Sequence, residues 1–287
     1  NFADTLMIAG KYQVKPPFPF TPGFEAAGEV TAVGEGVSGF AVGDRVFCAL
    51  QNGGLSSRIV APAKRVFPIP DSMDFQTAAA WPVIYGTSHI ALVHRGHLQA
   101  GETLLVLGAT SGVGLAAIEI GKALGARVIA QVRGPAKATA ALQAGADAVV
   151  DTQSEDLRDA VKGLTDGKGA DVVYDPLGGD LFDQSLRCVN WDARLLIVGF
   201  AAGRIQQIPA NVLLVKGVAA GGVFWNAHFI HTPGLLRQSF AGLARMWSEG
   251  ALRPLIRTNL PASDYARAYA MLLDRAEPGK IVLTLAD

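Results

Sequence analysis

The sequence predicts an α/β protein in which a parallel-sheet domain is joined to a smaller, β-rich domain. Two sequence patterns along the chain support this prediction. From Glu102 onward, apolar runs of four to six residues alternate with helical stretches, which is the pattern of βαβ units. Between Pro16 and Ile69, glycine and proline separate short segments rich in valine, which is typical of a small barrel or sandwich. The 287 residues provide roughly two average domains.

Each region contains recognisable elements. In the β-rich region the clearest strand candidates are GEVTAVG at 28–34 and DRVFCAL at 44–50. Residues 74–94 are rich in alanine without strand alternation, so we predict helices that link the two regions. The parallel strands are predicted to be TLLVLG, RVIAQV, AVVD, DVVYD and RLLIVGF. After about Trp225 the pattern predicts helices over 233–249 and 263–275 and a last strand, KIVLTL.

Composition excludes several classes of function. Lys plus Arg and Asp plus Glu both total 25, so no net field attracts nucleic acid or anionic lipid, and neither partner is expected. Two uncharged stretches, 75–93 and 217–236, reach membrane length but contain proline, histidine and other polar residues. We interpret both as buried core. Cys48 and Cys188 cannot build a disulfide framework, and no signal peptide is visible, so we expect a cytoplasmic protein.

A glycine-rich turn carries the strongest functional signal. Residues 104–126 read as a buried strand, a turn containing Gly108, Gly112 and Gly114, and an apolar helix. In such a unit, glycine lets a pyrophosphate approach the N–H groups at the helix N-terminus. The G-x-x-x-G-x-G spacing differs from the standard fingerprint, and a purely structural turn is the alternative. The order strand, turn, helix favours dinucleotide binding.

Two further features bear on the cofactor. The second strand ends without an acidic residue for a ribose hydroxyl and is followed by Arg133 and Lys137. Cations there favour a 2′-phosphate and so predict NADPH rather than NADH, unless both are merely solvated surface charges. Two more glycine-containing turns, DPLGG at 175–179 and IVGF at 197–200, follow predicted parallel strands at the edge where ligands bind. Each could also be an ordinary turn.

With these motifs in place, the whole chain resembles the medium-chain dehydrogenase/reductase superfamily, in its zinc-independent, zeta-crystallin-like quinone oxidoreductase branch. The resemblance is carried by NFADTLMIAGKY, PFTPGFEAAGEVTAVGEGVSGFAVGDRV, AAAWPVIYGTSH, GATSGVGLAAIEIGKALGARVIA, GADAVVD, GKGADVVYDPLGG and PGKIVLTL. It implies a GroES-like catalytic domain over 1–86 whose N-terminal part is incomplete here, a Rossmann NADP-binding domain over 87–226, and a return to the catalytic domain over 227–287.

The resemblance also bears on metals. Zinc-dependent alcohol dehydrogenases of the superfamily place cysteine where Asn1 stands and a His-Glu pair where Phe24 and Glu25 stand. Only the glutamate is present here, which disfavours a three-ligand catalytic zinc and alcohol oxidation. The histidines within 89–97 lack a carboxylate or cysteine at ligand spacing, so no metal is expected there either.

Site residues follow from the resemblance. It implies that Asn1, Tyr12 and Thr87 are the catalytic-site hydrogen-bonding groups, and that Asp4, Tyr12, Phe224 and Trp225 contact the substrate. The implied cofactor contacts are Thr87, Ser111, Gly112, Val113, Gly114, Lys137, Gly178, Val198, Gly199, Phe200, Ala201, Val223, Phe224, Trp225 and Lys280. Arg133, where family members frequently have serine, is added to them because of its charge. Thr152 departs from the family, which often has tyrosine or histidine beside the adenosine. Phe224 and Trp225 could equally pack between domains.

The function expected from these features is NADPH-dependent reduction of a quinone or a related α,β-unsaturated carbonyl, by one or two electrons. An enoyl or alkenal double-bond reductase of the same superfamily would use the same cofactor residues. A weakly catalytic NADPH-binding structural or interaction protein remains the alternative from another class. Relatives usually dimerise through a strand edge of the nucleotide domain, and residues 211–224 are apolar enough for a homodimer, although buried core explains them comparably.

Overall fold

A computed structural model describes residues 1–285 and divides them into two compact units. The first unit comprises Asn1–Ile84, Phe229–Pro233 and the described residues from Pro254 onward. The second unit comprises Tyr85–His228 and Gly234–Arg253.

The first unit begins with a helix and a small antiparallel sheet. Helix α1 (Phe2–Ile8) precedes strands β1 (Glu25–Glu29), β2 (Arg45–Ala49) and β3 (Val66–Pro68), which pair in that order. Strand β2 confirms the predicted DRVFCAL strand. The prediction for 28–34 was wrong in extent, because the strand ends at Glu29. Beyond it the chain turns through Gly36 and Gly39, whose φ angles of 74° and 85° suit glycine and not an extended strand.

Short helices then lead into the second unit, as predicted for residues 74–94. Helix α2 (Phe75–Ala79) is capped by the Asp74 side chain, which accepts the Thr77 N–H. Helix α3 (Pro82–His89) continues into a π-helical turn over Ile90–Arg95. The first three residues of that turn are completely buried, which explains the uncharged composition of this stretch.

A six-stranded parallel sheet forms the centre of the second unit. Its strands are β4 (Thr103–Val106), β5 (Arg127–Val132), β6 (Ala148–Asp151), β7 (Ala170–Asp175), β8 (Val189–Ile197) and β9 (Ala219–Gly222). The order is β6-β5-β4-β7-β8-β9, with every pair parallel. The strand order reverses between β4 and β7, so this is a doubly wound Rossmann sheet, and the predicted parallel strands are confirmed.

Helices connect these strands. They are α4 (Gly112–Ala123), α5 (Pro135–Gln143), α6 (Leu157–Leu164), α7 (Gly179–Ser185) and α8 (Ala210–Lys216), followed by α9 (His228–His231) and α10 (Pro233–Ser248). Leu105, Val173 and Leu195 are fully buried on neighbouring strands and pack in one hydrophobic core. Strands buried on both faces are continuously apolar, and for that reason they could be recognised in the sequence. Among the described residues, no helix combines the length and apolarity needed to cross a bilayer.

The chain returns to the first unit through a parallel strand pair. Strand β10 (Ile256–Pro261), helix α11 (Tyr265–Asp274) and strand β11 (Lys280–Thr284) follow one another, and β10 pairs with β11. The predicted helix at 263–275 and the predicted last strand are therefore confirmed. Strand β11 begins at Lys280.

Candidate functional site

The glycine-rich turn between β4 and α4 has the geometry of an anion site. The Ser111 hydroxyl accepts the Gly114 N–H at 3.2 Å and caps the helix. The N–H groups of Gly112 and Val113, in the first helical turn, have no carbonyl partner within the helix. A Cβ at Gly114 would lie 2.5 Å from the Gly108 carbonyl oxygen, so glycine is required for this close packing. The turn therefore fits a phosphate with backbone donors and a helix dipole.

A buried glutamine that sequence reasoning missed supports this turn. Gln131, on β5, is 1% exposed, and its side-chain oxygen accepts the Gly108 N–H at 2.9 Å. Its amide nitrogen donates to the Val132 carbonyl and to the Thr152 hydroxyl, both at 2.8 Å. Thr152, which departs from the family pattern, is thus bonded to Gln131, the residue that holds the glycine turn. A polar residue inside an otherwise apolar strand was the available sequence signal.

The two cations predicted to bind a 2′-phosphate lie at the carboxyl end of β5. Arg133 is exposed and Lys137 is half-buried at the start of α5, and neither forms an ion pair with any described residue. Helix α5 has no side-chain cap at Gly134. The Asp151 carboxylate accepts the N–H groups of Gly134 and Gln153, which, together with the Arg133 charge, lower the pKa of Asp151. The cations and the uncapped helix start fit an anion.

The predicted contacts at the ends of β7 and β8 are held together by backbone hydrogen bonds. The Val198 and Gly199 N–H groups donate to the Asp175 carbonyl at 2.8 and 3.3 Å. The Ala201 N–H donates to the Pro176 carbonyl at 3.1 Å. Gly178 has a φ angle of 68°, which only glycine adopts readily. The two glycine-containing turns predicted from DPLGG and IVGF thus form one connected edge of the sheet.

Thr87, Phe224 and Trp225 also belong to the second unit. Thr87 is buried in α3, and the hydroxyl of its neighbour Ser88 donates to the Val113 carbonyl at 2.9 Å, which ties this helix to the start of α4. Phe224 is 45% exposed, next to buried Val223. Trp225 is buried, and a Cβ at Gly86 would lie only 2.7 Å from its indole, so the ring packs closely on that glycine. Phe224 therefore offers an accessible aromatic face, and Trp225 an anchor.

In the first unit, three polar side chains meet in one buried cluster. The Lys280 ammonium donates to the Asn1 side-chain oxygen at 2.7 Å and to the Glu25 carboxylate at 2.5 Å. The Asn1 amide nitrogen donates to the same carboxylate at 2.7 Å, and the Val83 N–H donates to its other oxygen at 2.8 Å. The side chains of Lys280 and Glu25 are 11% and 6% exposed. Lys280, predicted as a cofactor contact, is thus held by Asn1 and by Glu25, which had no assigned role.

Asp4 and Tyr12 lie in the same unit. Asp4 is 3% exposed and accepts the Gly23 N–H at 2.8 Å. The Tyr12 ring packs edge-on against Phe24, with 5.4 Å between the centroids. Burial, and then the Asp4 charge, raise the pKa of Tyr12 above its usual value. The Tyr12 hydroxyl therefore stays protonated at neutral pH and is available as a hydrogen-bond donor.

A barrel-related unit with a buried polar cluster and a Rossmann unit with a glycine-rich turn define the class of medium-chain reductases. The alcohol dehydrogenase GroES-like domain family matches residues 1–71, and the zinc-binding dehydrogenase family matches residues 112–242. The quinone oxidoreductase-like protein 2 homolog of Nematostella vectensis is 42% identical over 287 residues, which are 99% of this chain and 78% of that protein.

Solved structures agree with this class. The Escherichia coli quinone oxidoreductase complexed with NADPH has a TM-score of 0.91 and 32% identity, over 99% of this chain and 87% of that one. The CurK enoyl reductase has a TM-score of 0.90 and 28% identity, over 100% and 88%. The chain belongs to the quinone oxidoreductase family of the medium-chain dehydrogenase/reductase superfamily, and it is an oxidoreductase.

The residues present do not fit the zinc that one family description mentions. Phe24 offers no ligand atom, and the Glu25 carboxylate is already bonded to an ammonium, an amide and a backbone N–H. Within residues 1–285, no three or more His, Cys, Asp or Glu side chains are grouped so that they could hold a metal ion.

Proposed function

We propose that this protein reduces a quinone, or a related α,β-unsaturated carbonyl, with NADPH. The observation that carries the proposal is the carboxyl edge of the Rossmann sheet. There the glycine turn, the uncapped start of α5 and two cations that pair with no carboxylate of residues 1–285 lie together. The relative solved with NADPH has the same fold over nearly the whole of this chain. Relatives named quinone oxidoreductase support the acceptor.

The chain's own residues bind and orient the cofactor in this proposal. The N–H groups of Gly112 and Val113, with the Ser111 cap behind them, hold the pyrophosphate. Arg133 and Lys137 pair with the 2′-phosphate, for which guanidinium and ammonium groups are suited. Further contacts come from Thr87, Gly178, Val198, Gly199, Phe200, Ala201, Val223, Phe224 and Trp225. When bound, the nicotinamide supplies a hydride.

Polar groups of the first unit bind the acceptor. Tyr12 donates a hydrogen bond from its neutral hydroxyl, and Asn1, held by the cluster with Lys280, presents its amide. A quinone carbonyl is already electrophilic, so orientation and hydrogen bonding are sufficient help from the protein. Asp4 of the same unit is a further acceptor contact in this proposal.

The test measures oxidation of NADPH and NADH with an ortho-quinone, a para-quinone and a simple enone, and cofactor affinity by fluorescence. Replacing both Arg133 and Lys137 by alanine should weaken NADPH binding by at least about a hundredfold and leave NADH binding unchanged, since each of the two charge-assisted bonds contributes about 1.5–3 kcal/mol and 1.4 kcal/mol is a factor of ten. Arg127→Ala, an exposed cation at the opposite end of β5, is the matched control. Equal loss for both cofactors would contradict the phosphate assignment.

The enone in this assay tests the second candidate function. The likeness to the CurK enoyl reductase favours a double-bond reductase as the alternative. Turnover on the enone alone would support it, and tight NADPH binding without turnover on any acceptor would favour a binding protein with little catalysis.

We also propose a homodimer in the cytoplasm. Strand β9 lies at an edge of the sheet, and Leu214 and Val215 of α8 are 81% and 73% exposed. Light scattering that found a monomer would contradict the dimer.

The cytoplasmic location is supported by the cysteines. Cys48 and Cys188 are buried free thiols, in keeping with a reducing compartment. Cell fractionation would test this location.

A further inference from the structure

The last residue of β7 is a fully buried aspartate that sequence analysis did not assign. One oxygen of the Asp175 carboxylate accepts the N–H groups of Leu177 and Gly178 at 2.9 and 2.8 Å. Its other oxygen accepts the side-chain N–H of Gln206 at 3.2 Å. One side chain thus fixes the turn that contains Gly178 and also contacts the loop that follows β8.

Gln206 is the second member of this pair and has an unsatisfied atom. The residue is 7% exposed, and its side-chain oxygen is buried without a hydrogen-bond partner among the described residues. That oxygen would lie 2.6 Å from a Cβ at Gly178, so it packs directly on the turn. A buried acceptor without a donor is costly. Rotating the amide by half a turn would direct this oxygen toward Asp175.

Asp175 is able to supply the missing donor. Burial raises the pKa of Asp175 to about 6, against the opposing pull of the two backbone N–H groups. Arg204, a basic group on the Gln206 loop, is bonded to Asp180 and Asp183 of α7. No charged side chain of the described residues is bonded to Asp175. In the protonated acid, the O–H can donate to the rotated Gln206 carbonyl; in the carboxylate, only the amide N–H can donate.

We propose that Asp175 and Gln206 are positioning residues for the cofactor, whose hydrogen bond joins the turn of Gly178 to the loop of residues 198–201 and exchanges donor and acceptor when Asp175 takes up a proton. This inference rests on the proposed function, because those backbone segments are its cofactor contacts. With the acid as donor, the buried carbonyl gains its missing partner, and the amide N–H groups take the place that the oxygen now occupies. The Arg204 carbonyl borders the same place, since a Cβ at Gly178 would lie 2.6 Å from the present Gln206 oxygen and 3.0 Å from the Arg204 oxygen. Both ends of the amide then face a suitable partner, which holds the loops better. Cofactor binding should therefore be favoured when Asp175 is protonated.

The test is the NADPH Kd, measured by fluorescence from pH 5 to 8, for the wild type and for Asp175→Asn. Asparagine keeps the acceptor for the two backbone N–H groups and donates to Gln206 at every pH, as the protonated acid does. The 2′-phosphate itself titrates near pH 6, so the quantity of interest is the ratio of the two Kd values. This ratio, wild type over variant, should be about 1 at pH 5 and rise to about fivefold at pH 8.

Two further variants separate positioning from general damage. Gln206→Leu should weaken NADPH binding about tenfold and should affect KM more than kcat. When Asp175→Asn is compared with Asp175 in the Gln206→Leu protein, the ratio of the two Kd values should no longer rise with pH. Asp171 lies at the other end of β7 and, among the described residues, its side chain is bonded to Thr103 and Asn190. Asp171→Asn should therefore keep the wild-type profile. A ratio that stays constant from pH 5 to 8 overturns the inference. If the wild type binds no NADPH at any pH, the proposed function fails and this inference fails with it.

Discussion

The buried cluster of Asn1, Glu25 and Lys280 makes a quantitative prediction. Replacing Lys280 by methionine keeps the length and the apolar stem of the side chain but removes the ammonium. Glu25 then retains the Asn1 amide and the Val83 N–H and loses its only charged partner among the described residues. Its side chain is 6% exposed, so water cannot replace the lost cation.

The size of the loss follows from burial. Removing one partner of a buried ion pair leaves an uncompensated charge and costs about 3–5 kcal/mol, whereas exposed pairs contribute about 1 kcal/mol or less. The side chains of Glu25 and Lys280 are both almost fully buried, so we expect Lys280→Met to cost about 3–5 kcal/mol. Replacing both partners, Glu25→Gln with Lys280→Met, removes the charge together with its counter-ion. That double variant should recover at least about 2 kcal/mol relative to the sum of the two single changes.

The assay is urea unfolding at pH 7, followed by circular dichroism and tryptophan fluorescence. It compares four proteins, which are the wild type, Lys280→Met, Glu25→Gln and the double variant. Arg257→Met is a matched control, because Arg257 pairs with Glu277, which is 66% exposed, and this change should cost far less. If Lys280→Met costs less than about 1 kcal/mol, or if the effects of the two single changes on the free energy of unfolding simply add, Glu25 and Lys280 do not compensate each other as a buried ion pair.

Three further predictions concern other parts of the molecule. Gly114→Ala should lower stability by about 1–3 kcal/mol and weaken NADPH binding more than tenfold, because its Cβ would overlap the Gly108 carbonyl; thermal unfolding and fluorescence titration measure both. Tyr12→Phe should lower quinone turnover by a modest factor; unchanged kinetics and NADPH affinity would remove Tyr12 from the site. Because the pKa of Asp175 is raised to about 6, the stability it contributes is complete below about pH 4 and lost as the pH rises through 6. At pH 8 Asp175→Asn should therefore be more stable than the wild type by up to about 3 kcal/mol and should unfold at a higher temperature. At pH 4 the two proteins should unfold at the same temperature.

The parallel sheet could be predicted from the sequence because its signals are local. Leu105, Val173 and Leu195 lie in short apolar runs bounded by turns, and such runs indicate strands buried on both faces. The glycine turn is local as well, since the strand, the turn and the helix occupy consecutive residues. The strand at 28–34 was misplaced because a valine-rich stretch can also lie in a loop when glycines with positive φ follow it.

The pairings that sequence reasoning missed are contacts between distant parts of the chain. Glu25 and Lys280 are 255 positions apart, and Asp175 and Gln206 are 31 apart. Nothing in the residue types fixes such pairings, because a glutamate at the start of a strand is ordinarily a solvated surface charge. Only the tertiary fold makes these groups buried, and burial is what turns an ordinary hydrogen bond into one whose loss is expensive.

A common principle connects the missed residues of the second unit. Gln131 and Asp175 both lie at or near the carboxyl ends of parallel strands, are almost completely buried, and accept backbone N–H groups of the glycine turns. The proposed cofactor contacts in these turns are largely backbone atoms, which are in place only while the turn keeps its shape. The shape depends on the buried anchors, since an unsatisfied polar group there costs about 1–3 kcal/mol. Substitutions at exposed contact positions such as Phe200 should consequently disturb cofactor binding less than substitutions at Gln131, although Gln131 lies beneath the surface.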